Sequence, residues 1–170
     1  MTSADQTLFR SRPTPPLWRA VLAILPVVAA AALGSIATTP NIPVWYEGLQ
    51  KPVFTPPNWL FAPVWTVLYL MMAAAIWRVM SVPADFPGRS AAIGAFFVQL
   101  ALNAGWSWAF FGFHDPAAGL AVIVVLLVMI LATIRLFWHL DRVAAWLLVP
   151  YAAWVTYALA LNFEIWRLNG

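Results

Sequence analysis

The chain has 170 residues, of which 64% are hydrophobic and only 9% charged, with a mean hydropathy of +0.83; such a composition excludes an ordinary soluble domain and indicates a membrane protein. It contains no cysteine, which rules out disulfides, thiolate metal sites and cysteine nucleophiles. The net charge of +3 rests on nine basic residues scattered along the sequence, so nucleic acid is not expected as a partner.

No Asp, Glu, Lys or Arg occurs in 20–46, 52–77, 90–114, 116–134 or 143–163. Each window can supply the ~20 apolar residues that cross a ~30 Å hydrocarbon core as a helix, and a helix satisfies its own backbone groups there. The expected fold class is an all-α integral membrane protein, a five-transmembrane-helix bundle forming one domain over 17–170, with helices near 17–39, 60–80, 91–112, 117–139 and 143–166. Residues 1–16, which include Arg10, Arg12, Pro13, Pro15 and Pro16, read as a disordered tail. A cytoplasmic N-terminus would place Arg10, Arg12, Arg19, Arg78, Arg89, Arg135 and Arg142 on the inner side, against Lys51 and Arg167 outside. This excess predicts N-in, C-out topology, for which a bacterial inner membrane is the expected location.

The connection between the first two helices is unusual. Residues 51–70 read KPVFTPPNWLFAPVWTVLYL, too apolar for a solvated loop and too rich in proline for a helix throughout. A proline-stiffened segment loses little chain entropy when it orders. Loop 40–59 is therefore expected to cover the mouth of a pocket, with Lys51, Pro52, Pro56, Pro57 and Trp59 in the lid.

The second helix then carries Trp65 and Tyr69 one turn apart in its outer half. In the third, FFVQLALNAGWSWAFFG, the residues Gln99, Asn103 and Ser107 recur every four positions and share one face. Ala101, Gly105 and Ala109 recur at the same spacing, ~200° away around the helix. Small residues in such a stripe let another helix approach closely, so this face is expected to form either a homodimer contact or a contact within the chain. The polar stripe is expected to face inward, because amides directed at lipid are costly. Trp106 lies beside it, and the fifth helix brings Trp154, Ala158 and Asn162 to the same level.

Trp65, Tyr69, Gln99, Asn103, Trp106, Ser107, Trp154, Ala158 and Asn162 are thus the candidate ligand-binding residues. Trp18, Trp77, Trp138, Trp146 and Trp166 fall near span ends and read as interfacial anchors. No carboxylate pair lies at mid-membrane for acid–base work, and His114 and His139 are terminal in their spans. Neither a catalytic residue set nor a metal site is expected.

Three stretches, WYEGLQKPVFTPPNWLFAPVWTVLY, QLALNAGWSWAFFG and PYAAWVTYALALNFEIWRLN, resemble in order the signatures of the tryptophan-rich sensory proteins, bacterial relatives of the translocator protein or peripheral benzodiazepine receptor. The resemblance implies a five-helix bundle, commonly dimeric, that binds porphyrins such as protoporphyrin IX or haem. In mammalian members it extends to cholesterol and benzodiazepine-type drugs. No obligatory cofactor is implied, porphyrin being a ligand. Trp65, Asn103 and Trp154 match the family's pocket positions, beneath loop 1 as the lid. The resemblance also raises light-dependent porphyrin breakdown, with Trp65 and Trp154 as photochemical candidates, and tetrapyrrole or sterol transport. Some members are assigned to an outer membrane. Phe163 stands where the mammalian sterol motif has tyrosine, which places cholesterol below porphyrin as a ligand.

Overall fold

A computed structural model describes residues 16–170. The tail expected over 1–16 lies outside the described residues except for Pro16, which opens the first helix. The described chain consists of five long helices: α1 Pro16–Thr38, α2 Asn58–Ser81, α3 Arg89–Ser107, α4 Pro116–Leu140 and α5 Arg142–Asn169. Four of them are long and apolar enough to cross a membrane; α3, which carries the polar stripe, does not reach that hydropathy.

α1 packs on α2 and α3, α2 also on α5, α5 on α4, and α4 on α3. The order around the bundle is therefore α1–α2–α5–α4–α3. At one end Arg78 of α2 pairs with Asp141 at 2.8 Å, joining the α2 terminus to the α4–α5 turn. Asp141 also accepts from the Ala144 N–H and so caps α5. Burial would raise its pKa, but the hydrogen bonds from Arg78 and from the helix N–H groups, with the guanidinium charge, hold the carboxyl below its ordinary value.

That half of the bundle is closely packed. Met72, Ala75, Ile76 and Val79 of α2 meet Ala92 and Phe96 of α3, Ile130 and Phe137 of α4, and Ala144, Ala145 and Leu148 of α5, all fully buried. The alanines let the helix axes approach, and the larger side chains fill the gaps. The opposite half, beneath loop 1, is looser.

Two local features depart from the regular pattern. α2 begins at Asn58, so Trp59 belongs to its first turn instead of to the lid. Pro57, at φ −59°, presets the chain for the helix start. The third helix ends in a π-turn, Trp108–Gly112, closed by the Phe113 N–H donating to Trp108 O at 2.8 Å. The wider turn shifts the register of everything after Ser107. Ala109 rotates inward and is buried, while Trp108 takes its place on the outer face. The small-residue stripe expected through Ala109 therefore ends at Gly105, and the exposed positions on this face are Gly94, Val98, Ala101 and Gly105.

Candidate functional site

Loop 1 is folded onto the bundle by side chains from distant segments. It contains two short turns, Thr39–Asn41 and Tyr46–Gly48. Asn41 donates to Ala37 O, which orients its Oδ1 as the acceptor of the His114 Nε2 proton at 2.8 Å. The His114 ring stacks on Trp45 with centroids 4.7 Å apart. Further along, Asn169 both accepts from the Gln50 N–H and donates to Gln50 O, and the Tyr157 hydroxyl donates to Phe54 O at 2.6 Å. These attachments join loop 1 to the α3–α4 turn and to α5.

Beneath it lies a cavity of about 340 Å³ between α1, α2 and α3, at the lower end of the range for small-molecule pockets. Its walls include Gly34 from α1, Phe61, Trp65 and Tyr69 from α2, and Trp106, Ser107 and Phe111 from α3 and the π-turn. Loop 1 contributes Ile42 and Tyr46, while the exposed Ser35, Thr39, Ala62 and Thr66 leave the cavity open on its α1–α2 side. Gly34 brings α1 close to α3 here: a Cβ would stand 3.1 Å from Ser107 Oγ, tighter than ordinary contact. The lining is mostly aromatic and apolar, with a few polar groups at fixed places.

Tyr46 is the most telling of these. It is only 4% exposed, and its hydroxyl has no hydrogen-bond partner among the described residues. Burial, with a smaller contribution from Tyr157, pushes the phenol up to about 12, so it stays a neutral donor at any physiological pH. Lys51 lies over the outer face of the Tyr46 ring, 4.8 Å from its centroid, and donates to Glu47 O and Leu49 O.

The polar stripe of α3 is buried as a unit. Its members have different roles. Asn103, 1% exposed, accepts from the Tyr69 hydroxyl at 2.8 Å and donates to the Tyr151 hydroxyl at 3.2 Å, which links α2, α3 and α5. Gln99, equally buried, has neither side-chain atom partnered among the described residues. Only Ser107 reaches the cavity wall. Asn162 holds Trp106 from behind: its Oδ1 accepts from the indole N–H at 3.1 Å while its amide donates to Pro116 O. Gly119 leaves room for this arrangement, since a Cβ there would meet Asn162 Oδ1 and Phe110 at 3.0 Å.

The structure thus brings Trp65, Tyr69, Trp106 and Ser107 together on one cavity and sets the other candidates apart from its lining. Asn103 and Asn162 stand behind the wall as supports. Ala158 is core. Trp154 lies on the far side of α2, in a groove between α2 and α5, where its ring meets Phe61 edge-on at 5.8 Å. The reason is topological: α5 neighbours α2 and α4, whereas the cavity opens between α1, α2 and α3. Of the lid candidates, Lys51, Pro52, Pro56 and Pro57 are absent from the lining, and Trp59 is exposed on the α2–α5 side.

Sequence reasoning missed the α1 wall, although Gly34-Ser35 and Thr38-Thr39 interrupt an otherwise apolar run and offered a signal. It also missed Tyr46, Phe61, Tyr151 and the loop attachments at His114, Tyr157 and Asn169. Only long-range packing reveals those.

Comparison with known proteins finds relatives that match most of the chain. The chain is 42% identical over 149 residues to the tryptophan-rich protein TspO of Archaeoglobus fulgidus, covering 88% of this chain and 95% of that one. It is 42% identical over 142 residues to the tryptophan-rich sensory protein of Cereibacter sphaeroides, covering 82% and 87%. Similarity extends to the human translocator protein, at 35% identity over 126 residues, 74% of this chain and 75% of the relative. The profile of the TspO/MBR family matches residues 22–167, and the chain, an integral membrane protein by its apolar helices, belongs to that family.

Proposed function

We propose that the protein is a membrane receptor or sensor that binds a flat hydrophobic ligand, a porphyrin such as protoporphyrin IX or haem foremost, in the cavity beneath loop 1. The observation that carries this reading is the unpartnered Tyr46 hydroxyl, buried at a cavity whose walls include the rings of Trp65, Trp106, Phe61 and Phe111. A buried donor without a partner costs about 1–3 kcal/mol, which a ligand acceptor would recover. The aromatic rings supply stacking and edge contacts to a planar ligand, and Lys51 above Tyr46 is placed to meet an acidic group at the mouth. The names of the relatives, sensory protein and translocator protein, agree with a ligand-responsive role. Sterols and benzodiazepine-type drugs are lesser candidates for the same cavity.

The protein is placed with the arginine-bearing end, Arg19, Arg78, Arg89, Arg135 and Arg142, in the cytoplasm of a bacterial inner membrane, and α3 completes a fifth span. The exposed face of α3 at Gly105, where a Cβ would meet nothing within 4 Å, is assigned to a homodimer. Titration of the purified protein with protoporphyrin IX, read by tryptophan fluorescence quenching, tests the ligand reading. Tyr46→Phe and Trp65→Phe should each weaken binding, and Trp146→Phe should not. Equal losses at all three positions would refute it.

Light-dependent breakdown of the bound porphyrin is a second reading. Trp65 lies within ring contact of Tyr69 and Tyr151, at 5.4 and 6.2 Å; in this reading the excited macrocycle is reduced by one electron from Trp65, and the oxidised indole is re-reduced by one of the two phenols. Absorbance of the complex under illumination and in darkness separates the two readings.

A further inference from the structure

The hydroxyl- and amide-bearing side chains of α1 and α2 are not spread evenly over these helices. On α1 they are Ser35 and Thr38, and both line the cavity. In the loop 1 half of α2 they are Asn58, Thr66 and Tyr69, and these line it as well. Thr39, the first residue beyond α1, joins them. Nearby positions of α1 expose Val28, Leu33 and Ile36 instead. Both helices are long and apolar enough to span a membrane, where a hydroxyl turned toward hydrocarbon gains nothing. A polar cluster gathered around one opening therefore points to something polar that occupies it.

Ser35, Thr39, Asn58 and Thr66 are exposed along the α1–α2 side, whereas Trp65 and Trp106 are half-buried and Phe111 is buried. The opening thus has polar groups at its edge and aromatic rings within. Thr39 and Asn58 flank loop 1, and Thr66 lies eight residues further along α2, ~12 Å down its axis. The polar edge accordingly extends from the loop 1 end of the bundle into one leaflet.

Hydrogen-bonding capacity remains here after the internal bonds are made. Thr66 Oγ1 donates to Ala62 O at 2.8 Å, so its proton is committed. Ser35 and Thr39 share a single bond at 3.3 Å, which uses one hydroxyl proton and leaves the other free to donate. The exposed Asn58 amide brings further N–H donors. No Lys, Arg, Asp or Glu is among the described residues of the lining. The opening is a neutral donor site, and its complement is a carbonyl or carboxylate oxygen. Size leads to the same place: about 340 Å³ suits a small drug-sized ligand, and a porphyrin with acid side chains is larger, so part of it has to project through the open side.

We propose that the α1–α2 opening is the subsite for the oxygen-bearing edge of the ligand. The macrocycle lies among Trp65, Trp106 and Phe111, and its carboxylate or carbonyl substituents emerge between the Ser35–Thr39 pair and Asn58. The protein then selects planar ligands with acceptors along one edge over all-alkyl ones. This rests on the reading of the cavity as the ligand site.

The test titrates the purified full chain in maltoside micelles, by tryptophan fluorescence quenching, with three probes: protoporphyrin IX, its uncharged dimethyl ester, and etioporphyrin, which carries alkyl groups only. The wild type should bind etioporphyrin most weakly. Asn58→Asp places a negative charge at the exposed start of α2, where the helix tolerates it. It should weaken protoporphyrin IX about fivefold at low salt, as for like charges ~4 Å apart in water, and less at high salt. The ester and etioporphyrin should bind it as they bind the wild type. Ser35→Ala combined with Thr39→Val removes the free donor and should weaken acid and ester alike, by about fivefold for one hydrogen bond, while etioporphyrin is unaffected. Unaltered protoporphyrin IX affinity in Asn58→Asp would overturn the proposal and leave these polar groups to the lipid headgroup region. Equal losses for etioporphyrin in either variant would overturn it by showing a disturbed cavity instead of a lost polar contact. Absence of saturable quenching by all three probes in the wild type would instead refute the ligand reading of the cavity on which the proposal stands.

Discussion

Replacing Asn103 with leucine, its nearest apolar isostere, removes one acceptor and one donor from the centre of the bundle and leaves two phenols to find other partners. The hydroxyls differ in what is open to them. Tyr69 lines the cavity and can turn its O–H toward it, whereas Tyr151 is fully buried. Interhelical hydrogen bonds in membranes average ~0.6 kcal/mol each, and stranding a buried hydroxyl adds about 1–3 kcal/mol. Asn103→Leu should thus cost about 2–3 kcal/mol. Tyr151→Phe alone strands the Asn103 amide N–H and should cost about 1.5–2 kcal/mol by the same reasoning. The double variant strands no group across the Asn103–Tyr151 contact, so its cost should return to about 1–2 kcal/mol, a coupling of about 3 kcal/mol between the two sites. Reversible unfolding with dodecyl sulfate in mixed micelles, followed by far-ultraviolet circular dichroism, measures all four corners of the cycle. Additivity within about 0.5 kcal/mol would show that Asn103 and Tyr151 share no energetically significant bond, and the account of Asn103 as a support behind the cavity wall would fail.

The π-turn makes opposite predictions for two residues of one apparent stripe: Gly105→Leu should abolish cross-linking of the proposed dimer in native membranes and leave Tm unchanged. Ala109→Leu should lower stability by about 1–3 kcal/mol through overpacking, because that position is buried, and identical behaviour of the pair would refute the register shift. At the other end of the bundle, the lowered pKa of Asp141 means that its contribution is fully present above the unfolded value of about 4 and is lost as pH falls through the lower folded value. Stability measured between pH 6 and about pH 2.5 should therefore fall less steeply in Asp141→Asn, which keeps the helix cap but cannot ionise; coincident profiles would show that the Arg78 pair contributes nothing.

An all-helical membrane protein of five helices, their positions and the inward turn of Gln99, Asn103 and Ser107 were legible in the sequence, because each follows from a short-range rule. Charge-free windows of sufficient length specify helices in an apolar medium, and a four-residue polar period specifies one face of a helix. Trp65, Tyr69, Trp106 and Ser107 could be selected on those grounds, since depth along a helix can be counted from its ends. Depth alone cannot say which helices are neighbours. The order α1–α2–α5–α4–α3 is set by how side chains of all five helices interlock, and it is this order that separates Trp154 from Trp65, gives α1 a wall of the cavity and leaves α5 outside it. The π-turn is equally a tertiary outcome: Phe110 and Phe111 are both buried after the shift, against Trp45, Tyr46 and Trp106, and no local period announces a turn of that width. By itself the sequence determined that the chain is an integral membrane protein and which face of α3 turns inward, because water and hydrocarbon act on every residue separately. The tertiary structure alone decided which polar groups satisfy one another, as with Asn103, and which is left without a partner among the described residues, as with Tyr46, because a hydrogen bond depends on where two distant residues come to rest.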